Sequence, residues 1–410
     1  MRDSNDRLLG HRSEFVRHAN LSAIVREVHL HGGLSRSDLV ARTGLTRSGI
    51  RAVISDLVDA GLVREERAAS QGAPGRPSPL VQPIASGAVV LALEVAVDSL
   101  AVATVGLGGE VLDLVRVDRP RGRFSVDETV TDLAELARLI RARTPARDSL
   151  IGVGVAIVGV VRRSDGVVRA APNLGWHDVP LADQLADALA VRLPIMVANE
   201  ADLGALAEHR RGVAVGIDHL LFISGEVGVG GGAIVDGRPL VGVAGYGGEV
   251  GHMPINPAGV VCRCGSVGCW ETEIGERTLL MRAGHPTGGG RGAVDAVLRD
   301  AAAGVPEALG ALDNVGRWLG VGLAGLVNIL NPQMIVLGGL FGRIHPFVAT
   351  SLRTEIDRLG LRASSELVEV RPASLGIDAP LIGAAELAFE PLLTNPLAWA
   401  STAQAAAAGA

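Results

Sequence analysis

His252, Cys262, Cys264 and Cys269 fall within eighteen residues of a 410-residue chain and include all three of its cysteines. One imidazole and three thiolates form a Cys3His set, the composition of closed tetrahedral zinc sites with no open position for a reacting ligand. A zinc ion held this way would be structural and would not act as a Lewis acid. Gly265 and Gly268 let the chain wrap around an ion. Buried free cysteines scatter along a sequence; a C-x-C-x4-C cluster with a histidine ten residues upstream reads better as a metal site. An odd cysteine count also argues against a disulfide framework.

The elements that must position this cluster are alternating strands and helices. "GAVVLALEVAVDSLAVATVGLGGEVLDLVRVD" reads as three strands with turns at Val97-Asp98 and Gly108-Gly109. A helix over Val126–Arg141 follows, then a buried strand, "LIGVGVAIVGVV". "LPIMVANEADLGALAEHRRG" is a strand running into a helix. "HLLFISGEVGVGGGAIVDGRPL" is a strand, a Gly-rich turn and a second strand. A helix over Ala311–Asn328, the strand "MIVLGG" and a last helix, "APLIGAAELAFEPLL", complete the pattern. Hairpins followed by alternating helices, given twice, suggest two α/β lobes with a cleft between them. The expected division is 85–198 for the smaller lobe, completed by the helix 380–393, and 199–379 for the larger lobe with the metal cluster. A disordered tail is expected over 394–410.

Ahead of the lobes, residues 1–84 have another character. Leu21, Ile24, Val25 and Val28 line one face of a helix that Gly32-Gly33 ends. Ser35 can cap a short helix over Ser37–Arg42, Gly44 makes a turn, and Thr46 caps a longer helix to about Asp59. This is a helix-turn-helix. Leu39, Val40, Leu45, Ile50, Val53, Ile54 and Leu57 hold it together. Thr46, Arg47, Ser48, Arg51 and Ser55 remain on the outer face, where the second helix could enter a major groove. "LVREERAASQGAPGRPSPLV" reads as two short strands around a loop, a wing with Arg76 at its tip to reach DNA. Residues 1–80 carry twelve arginines against nine acidic residues, whereas the whole chain carries a net charge of −6. A mildly basic head on an acidic body fits a DNA-binding module.

With 48% hydrophobic residues the chain can bury a sizeable core. No apolar run reaches the ~18 residues that a membrane span needs, and "MRDSNDRLLGHRSEF" has no apolar region of a secretory signal. A cytoplasmic location is expected. All 38 basic residues are arginine.

"GGEVGHMPINPAGVVCRCGSVGCWE" resembles the zinc signature of the ROK family of repressors and sugar kinases. Further segments match in order: the helix-turn-helix with its "GRP" wing, "PNLGW" at 172–176, "NEADLGALAE" at 199–208, "GVGGG" at 228–232, "NILNPQMIVLGG" at 328–339 and "GAAELA" near the end. The resemblance spans about residues 20 to 390. It implies an N-terminal winged helix-turn-helix followed by a two-lobed, actin-like and sugar-kinase-like (ribonuclease-H-like) α/β body that closes on a sugar. By motif match the sugar site would hold Asn199, Glu200, Glu249, His252 and Glu271, with Asn173 and Gly159 on its other wall. Carboxylates and amides suit this role, since they form paired hydrogen bonds with vicinal hydroxyls. His252 would give one ring nitrogen to zinc and turn the other toward the sugar, and the metal would brace the loop that carries Glu271.

The family contains both kinases and repressors. Its kinases place an aspartate after the asparagine as general base; this chain has Glu200, one methylene longer. Their first phosphate loop reads D-x-G-x-T, where this chain has Glu94-Val95-Ala96-Val97-Asp98. Their second has Gly-Thr where this chain has Glu226-Val227. A carboxylate ~4 Å from a phosphate oxygen costs roughly 4 kcal/mol at an effective dielectric of 20, and no lysine offsets it. The expectation is a degraded ATP site, a retained sugar site and no enzymatic activity, the glycines of 228–232 serving only a tight turn. "NEA" with "LEVAVDS" is most similar to the xylose-repressor branch, which hints at a pentose such as xylose. The expected protein is a sugar-responsive transcriptional regulator, a repressor, acting as a homodimer or tetramer on operator DNA. The alternative is an ATP-dependent sugar kinase that carries a DNA-binding head.

Overall fold

The computed structural model describes residues 3–66, 78–122, 124–144 and 149–398, with side chains from residue 14 onward. The head begins with α1 (Asp3–His31), which starts well before the expected apolar face, and β1 (Leu34–Ser35). Helix α2 (Arg36–Thr43) is closed by a capping box in which Ser35 accepts from the Asp38 N–H and Asp38 accepts in return. Gly44, at φ 69°, turns the chain into α3 (Arg47–Asp59), whose first turn is capped by Thr46. Strands β2 (Val63–Glu66) and β3 (Leu80–Pro83) form the wing as an antiparallel pair, and β1 adds a third strand on β3. Arg76 and the wing loop lie outside the described residues, as does the tail beyond residue 398.

The first lobe is a five-stranded sheet. It contains β4 (Val89–Val95), β5 (Ser99–Gly106) and β6 (Val111–Asp118) as an antiparallel meander. Helix α4 (Val126–Arg143) returns the chain to β7 (Leu150–Ile157), which pairs parallel with β4. A small sheet of β8 (Val160–Arg162), β9 (Val167–Ala171) and β10 (Trp176–Pro180) follows, with α5 (Leu181–Leu189). Strand β11 (Ile195–Asn199) then pairs parallel with β7 and runs into α6 (Glu200–Arg211).

The second lobe repeats the plan. Strands β12 (Leu220–Gly225), β13 (Val229–Val235) and β14 (Arg238–Pro239) are antiparallel neighbours. The loop of His252 and the three cysteines, α7 (Trp270–Ile274), α8 (Glu276–Arg282), α9 (Gly290–Ala302) and α10 (Pro306–Leu330) intervene. Strand β15 (Met334–Gly338), α11 (Gly339–Leu359), α12 (Arg362–Ser365) and β16 (Glu369–Pro372) complete the sheet, and α13 (Ala379–Thr394) returns to the first lobe. The first sheet runs β11-β7-β4-β5-β6 and the second β14-β13-β12-β15-β16. In both, a three-stranded meander is extended by two parallel strands, the duplicated arrangement of the actin-like, ribonuclease-H-like fold.

Two packing features place the functional parts. Leu21, Ile24, Ile54 and Val81 of the head share one continuous core with Val90, Ala92, Ala384 and Phe389 of the first lobe. Helix α6 lies between the lobes: Leu203 and Leu206 enter that shared core, while Ala201 and Ala205 pack with Phe222 and Val336 of the second lobe. Among the described residues no helix is long and apolar enough to cross a membrane.

Candidate functional site

His252, Cys262, Cys264 and Cys269 converge, with all four ligand atoms within 4.8 Å of one another. His252 Nδ1 lies 3.8 Å from Cys262 Sγ, and Cys264 Sγ lies 3.6 Å from Cys269 Sγ. A tetrahedron of thiolates at ~2.3 Å from zinc has edges of about 3.8 Å, so the donor set fits a tetrahedral metal ion of that size. The backbone is wound for it. Cys262 N–H donates to Ser266 O, and Gly268 N–H donates to Val260 O. Gly268 has φ 71°, and a Cβ there would lie 1.7 Å from Asn256 O, so only glycine fits. Next to Cys269, Trp270 is fully buried in the second lobe and donates through Nε1 to Trp318 O at 2.7 Å. The loop is thus pinned to a core, and Glu271 follows directly. Glu271 Oε1 lies 2.8 Å from Cys262 Sγ, which places the Cys3His cluster at the edge of the cleft.

Across the cleft, Asn199 ends β11 and caps α6. Its Oδ1 accepts from Ala201 N–H at 2.7 Å, and its Nδ2 donates to Gly159 O at 3.0 Å. Glu200 follows at the first turn. Its carboxyl is buried, its Oε2 has no hydrogen-bond partner, and burial, with Glu249 and Asp202 nearby, pushes it up to about 8. Burial likewise raises Glu249, opposed by His252. Asp202, absent from the sequence reading, is pushed up to about 7 by burial although Arg163 Nη2 lies 3.3 Å away. Gly228 faces Glu271 Oε2 and Asn173 Nδ2, and a Cβ there would lie 3.0 Å from the Glu271 oxygen, close enough to crowd it. Asn173 spends its Oδ1 on Arg263 of the metal loop. A buried acid with an unpartnered oxygen, beside two raised carboxyls and an amide, offers both donors and acceptors, which suits a polyol.

The other half of the cleft differs from the sequence expectation in one respect. Asp98 and Glu226 are not uncompensated. Arg121 Nη2 lies 3.3 Å from Asp98, and Arg291 Nη2 lies 3.4 Å from it. Arg291 Nε lies 3.9 Å from Glu226. Arg121 also grips Glu276 with both terminal nitrogens, at 2.6 and 2.9 Å. Glu94 is buried and paired at 2.9 Å with Arg116, which also holds Asp378. Arg121 and Arg291 lie outside the two loop motifs, so the absence of lysine from the chain does not leave these acids without a cation. Of these pairs, Arg121–Glu276 and Arg291–Asp98 link the first lobe to the second.

In the head, Thr46, Arg47, Ser48, Arg51 and Ser55 are all exposed on α3 or its cap, and Ile50, Val53, Ile54 and Leu57 are buried beneath them. Neither Arg47 nor Arg51 is ion-paired to a described residue. By contrast, Arg17 is paired with Asp56, and Arg36 with Glu65.

A winged helix-turn-helix joined to two actin-like lobes, with a Cys3His loop at the cleft, defines the class. The chain belongs to the ROK family, matching it over residues 90–390, and its head matches the MarR family over residues 22–72. A "Xylose repressor" of Bacillus subtilis (strain 168) is 29% identical over 380 residues, 92% of this chain and 97% of that protein. The crystal structure of a ROK family transcriptional regulator described as a homolog of the E. coli MLC protein superposes with a TM-score of 0.76 at 25% identity, covering 95% of this chain and 98% of that one. A ROK family glucokinase from Streptomyces griseus, in complex with glucose and AMPPNP, gives 0.62 at 26% identity over 73% of this chain and 99% of its own.

Proposed function

We propose that the chain is a sugar-responsive DNA-binding repressor whose two-lobed body binds a monosaccharide without phosphorylating it. The observation that carries this reading is the pairing of an arginine-faced winged helix with a sugar-kinase-like body in one shared core. The likeness to a xylose repressor along nearly the whole of both chains supports it. Thr46, Arg47, Ser48, Arg51 and Ser55 are assigned to the major groove and Arg76 to the flanking backbone or minor groove. Asn173, Asn199, Glu200, Glu249, His252 and Glu271 are assigned to the sugar, with a pentose such as xylose as the favoured effector.

His252, Cys262, Cys264 and Cys269 are assigned to zinc. When bound, zinc supplies a fixed charge that holds the four donors in one geometry. The chain's own residues do the rest: Trp270 anchors the loop, and Glu271 is presented to the cleft from its end. The arginine-paired acids at 98, 226 and 276 support the non-enzyme reading, because the space for phosphate is spanned by ion pairs. Paired heads in a cytoplasmic homodimer or tetramer would meet a roughly palindromic operator.

Arg47→Ala and Arg51→Ala test the DNA assignment. Each should weaken binding and lower the slope of log affinity against log salt by about one per lost phosphate contact; an unchanged slope removes α3 from the interface. A second reading, an ATP-dependent sugar kinase with a DNA-binding head, is favoured by one observation. Glu200 keeps a carboxyl at the kinase base position, with its pKa raised to about 8. Turnover of ATP with a panel of pentoses and hexoses separates the two.

A further inference from the structure

Helix α6 touches three things at once. Its N-terminus is the Asn199–Glu200 wall of the cleft. Its flanks are in close backbone contact with both lobes: a Cβ on Gly383 of α13 would lie 1.9 Å from Leu203 O, and one on Gly232 of β13 would lie 2.6 Å from Ala201 O. Neither lobe can therefore shift against the other without moving α6 against one of them. Its C-terminus, about 18 Å away for twelve residues, ends in Arg210 and Arg211.

Those two arginines meet the head. Glu386 of α13, 1% exposed, accepts from Arg211 Nε at 2.7 Å, from Arg210 Nη1 at 3.2 Å and from His29 Nε2 at 3.2 Å. His29, near the end of α1, is fully buried. Its Nδ1 accepts from Gly108 N–H at 3.0 Å, which leaves the ring proton on Nε2 for Glu386. Arg211 Nη1 then donates to the carbonyls of His29 at 2.9 Å, Leu30 at 3.4 Å and Gly108 at 3.0 Å. The carbonyls of residues 29 and 30 belong to the last turn of α1, which has no intrahelical donors left for them. Arg211 is thus the C-terminal cap of the head's first helix, supplied by a helix whose other end lies in the cleft. Arg26 of α1 joins the same network, since its partner Glu390 is also held by Arg210, whereas the bond from Ser22 to Leu393 O involves neither arginine of α6.

We infer that α6 is the element that transmits the state of the cleft to the DNA-binding head, with Arg211 and Glu386 as the positioning residues that fix α1 to it. The inference rests on the reading of Asn199 and Glu200 as the sugar wall. Both ends of the coupling are then equilibrium quantities, and the same factor must appear in each direction.

The test uses the full-length protein, an operator fragment selected by the wild type from a random DNA pool, and D-xylose and D-glucose as probes. DNA affinity is measured with and without saturating sugar, and sugar affinity separately by calorimetry. The wild type is expected to lose about tenfold or more in DNA affinity when sugar is bound, within the usual range of allosteric coupling. Arg211→Lys keeps the charge but cannot bridge a carboxylate and three carbonyls. In it and in Glu386→Gln the ratio should collapse to within about twofold, while sugar affinity stays within about twofold of wild type. Ser22→Ala, which removes a head-to-body bond that does not involve α6, should leave the ratio intact. If Arg211→Lys and Glu386→Gln weaken DNA binding equally with and without sugar, the cluster is a structural anchor and the inference is overturned. A wild type that binds sugar with no change in DNA affinity also overturns it. A wild type that binds neither sugar overturns the sugar reading itself, and the coupling with it.

Discussion

At the sugar end of the cleft, Glu200, Asp202 and Glu249 are pushed toward their protonated forms by burial, and a Glu200 oxygen has no partner. At the other end, Asp98, Glu226 and Glu276 are as crowded, but Arg121 and Arg291 pair with them, across the cleft in Arg121–Glu276 and Arg291–Asp98, and the orphan left there is a guanidinium nitrogen, Arg121 Nε, not a carboxyl oxygen. A buried polar group left without a hydrogen bond costs about 1–3 kcal/mol. Such a cost persists in a fold where a ligand removes it. Where the ligand is no longer met, side chains are free to satisfy one another. On the proposed reading, the first half is the one that meets sugar hydroxyl groups and the second is held together by its own ion pairs.

The largest expected effect comes from breaking the self-satisfied half. Arg121→Ala leaves Glu276 buried without its bidentate partner, and removing one member of a buried pair costs roughly 3–5 kcal/mol. Denaturant unfolding should show that loss, while calorimetry on protein that remains folded should show sugar affinity changed only a few-fold. A large loss of sugar affinity in folded protein would mean that the two halves are not separable.

The waiting half has its own signature in pH. Glu200 and Asp202 are raised to about 8 and about 7 from ordinary values near 4, so the native state holds protons that the unfolded chain releases. Their contribution to stability is present below pH ~4 and is lost as pH rises toward 8. The Glu200→Gln variant should therefore gain roughly 3 kcal/mol relative to wild type between pH 5 and pH 8. A flat difference in thermal midpoint across that range would place Glu200 in contact with solvent. Glu200→Ala should in turn weaken sugar binding by about ten- to a hundredfold, the scale of losing one strong hydrogen bond to a carboxylate. The smallest effect is that of Asn199→Ala on folding. Loss of the α6 cap should cost about 1 kcal/mol, readable in unfolding experiments without sugar.

The sequence carried the local parts of this picture. Buried strands such as Leu150–Ile157 and, up to Glu94, Val89–Val95 are apolar runs, and the Cys3His set is compressed into one loop. Helix α3 and its cap follow from Thr46 and the spacing of Ile50, Val53, Ile54 and Leu57. Helix α11 was not legible, because Pro346 sits within it and glycines punctuate its start. The small sheet β8-β9-β10 is short and half-exposed, with no clean alternation. The ion pairs were out of reach for another reason. Arg121 meets Glu276 from 155 positions away, and His29 meets Glu386 from 357. Pairing at that range leaves no periodic trace in a chain whose charges are spread throughout.

The most direct test of the two-halved cleft is calorimetric titration of the zinc-loaded protein with pentoses and hexoses, with and without AMPPNP, in two buffers of different ionisation enthalpy at pH 7. Sugar hydroxyls that donate to Glu200 favour its ionised form, so binding should release protons. The account predicts binding of one monosaccharide with proton release and no heat from AMPPNP. Saturable AMPPNP binding that strengthens in the presence of sugar would contradict it, because the phosphate half would then be open and the arginine pairs would not have closed it.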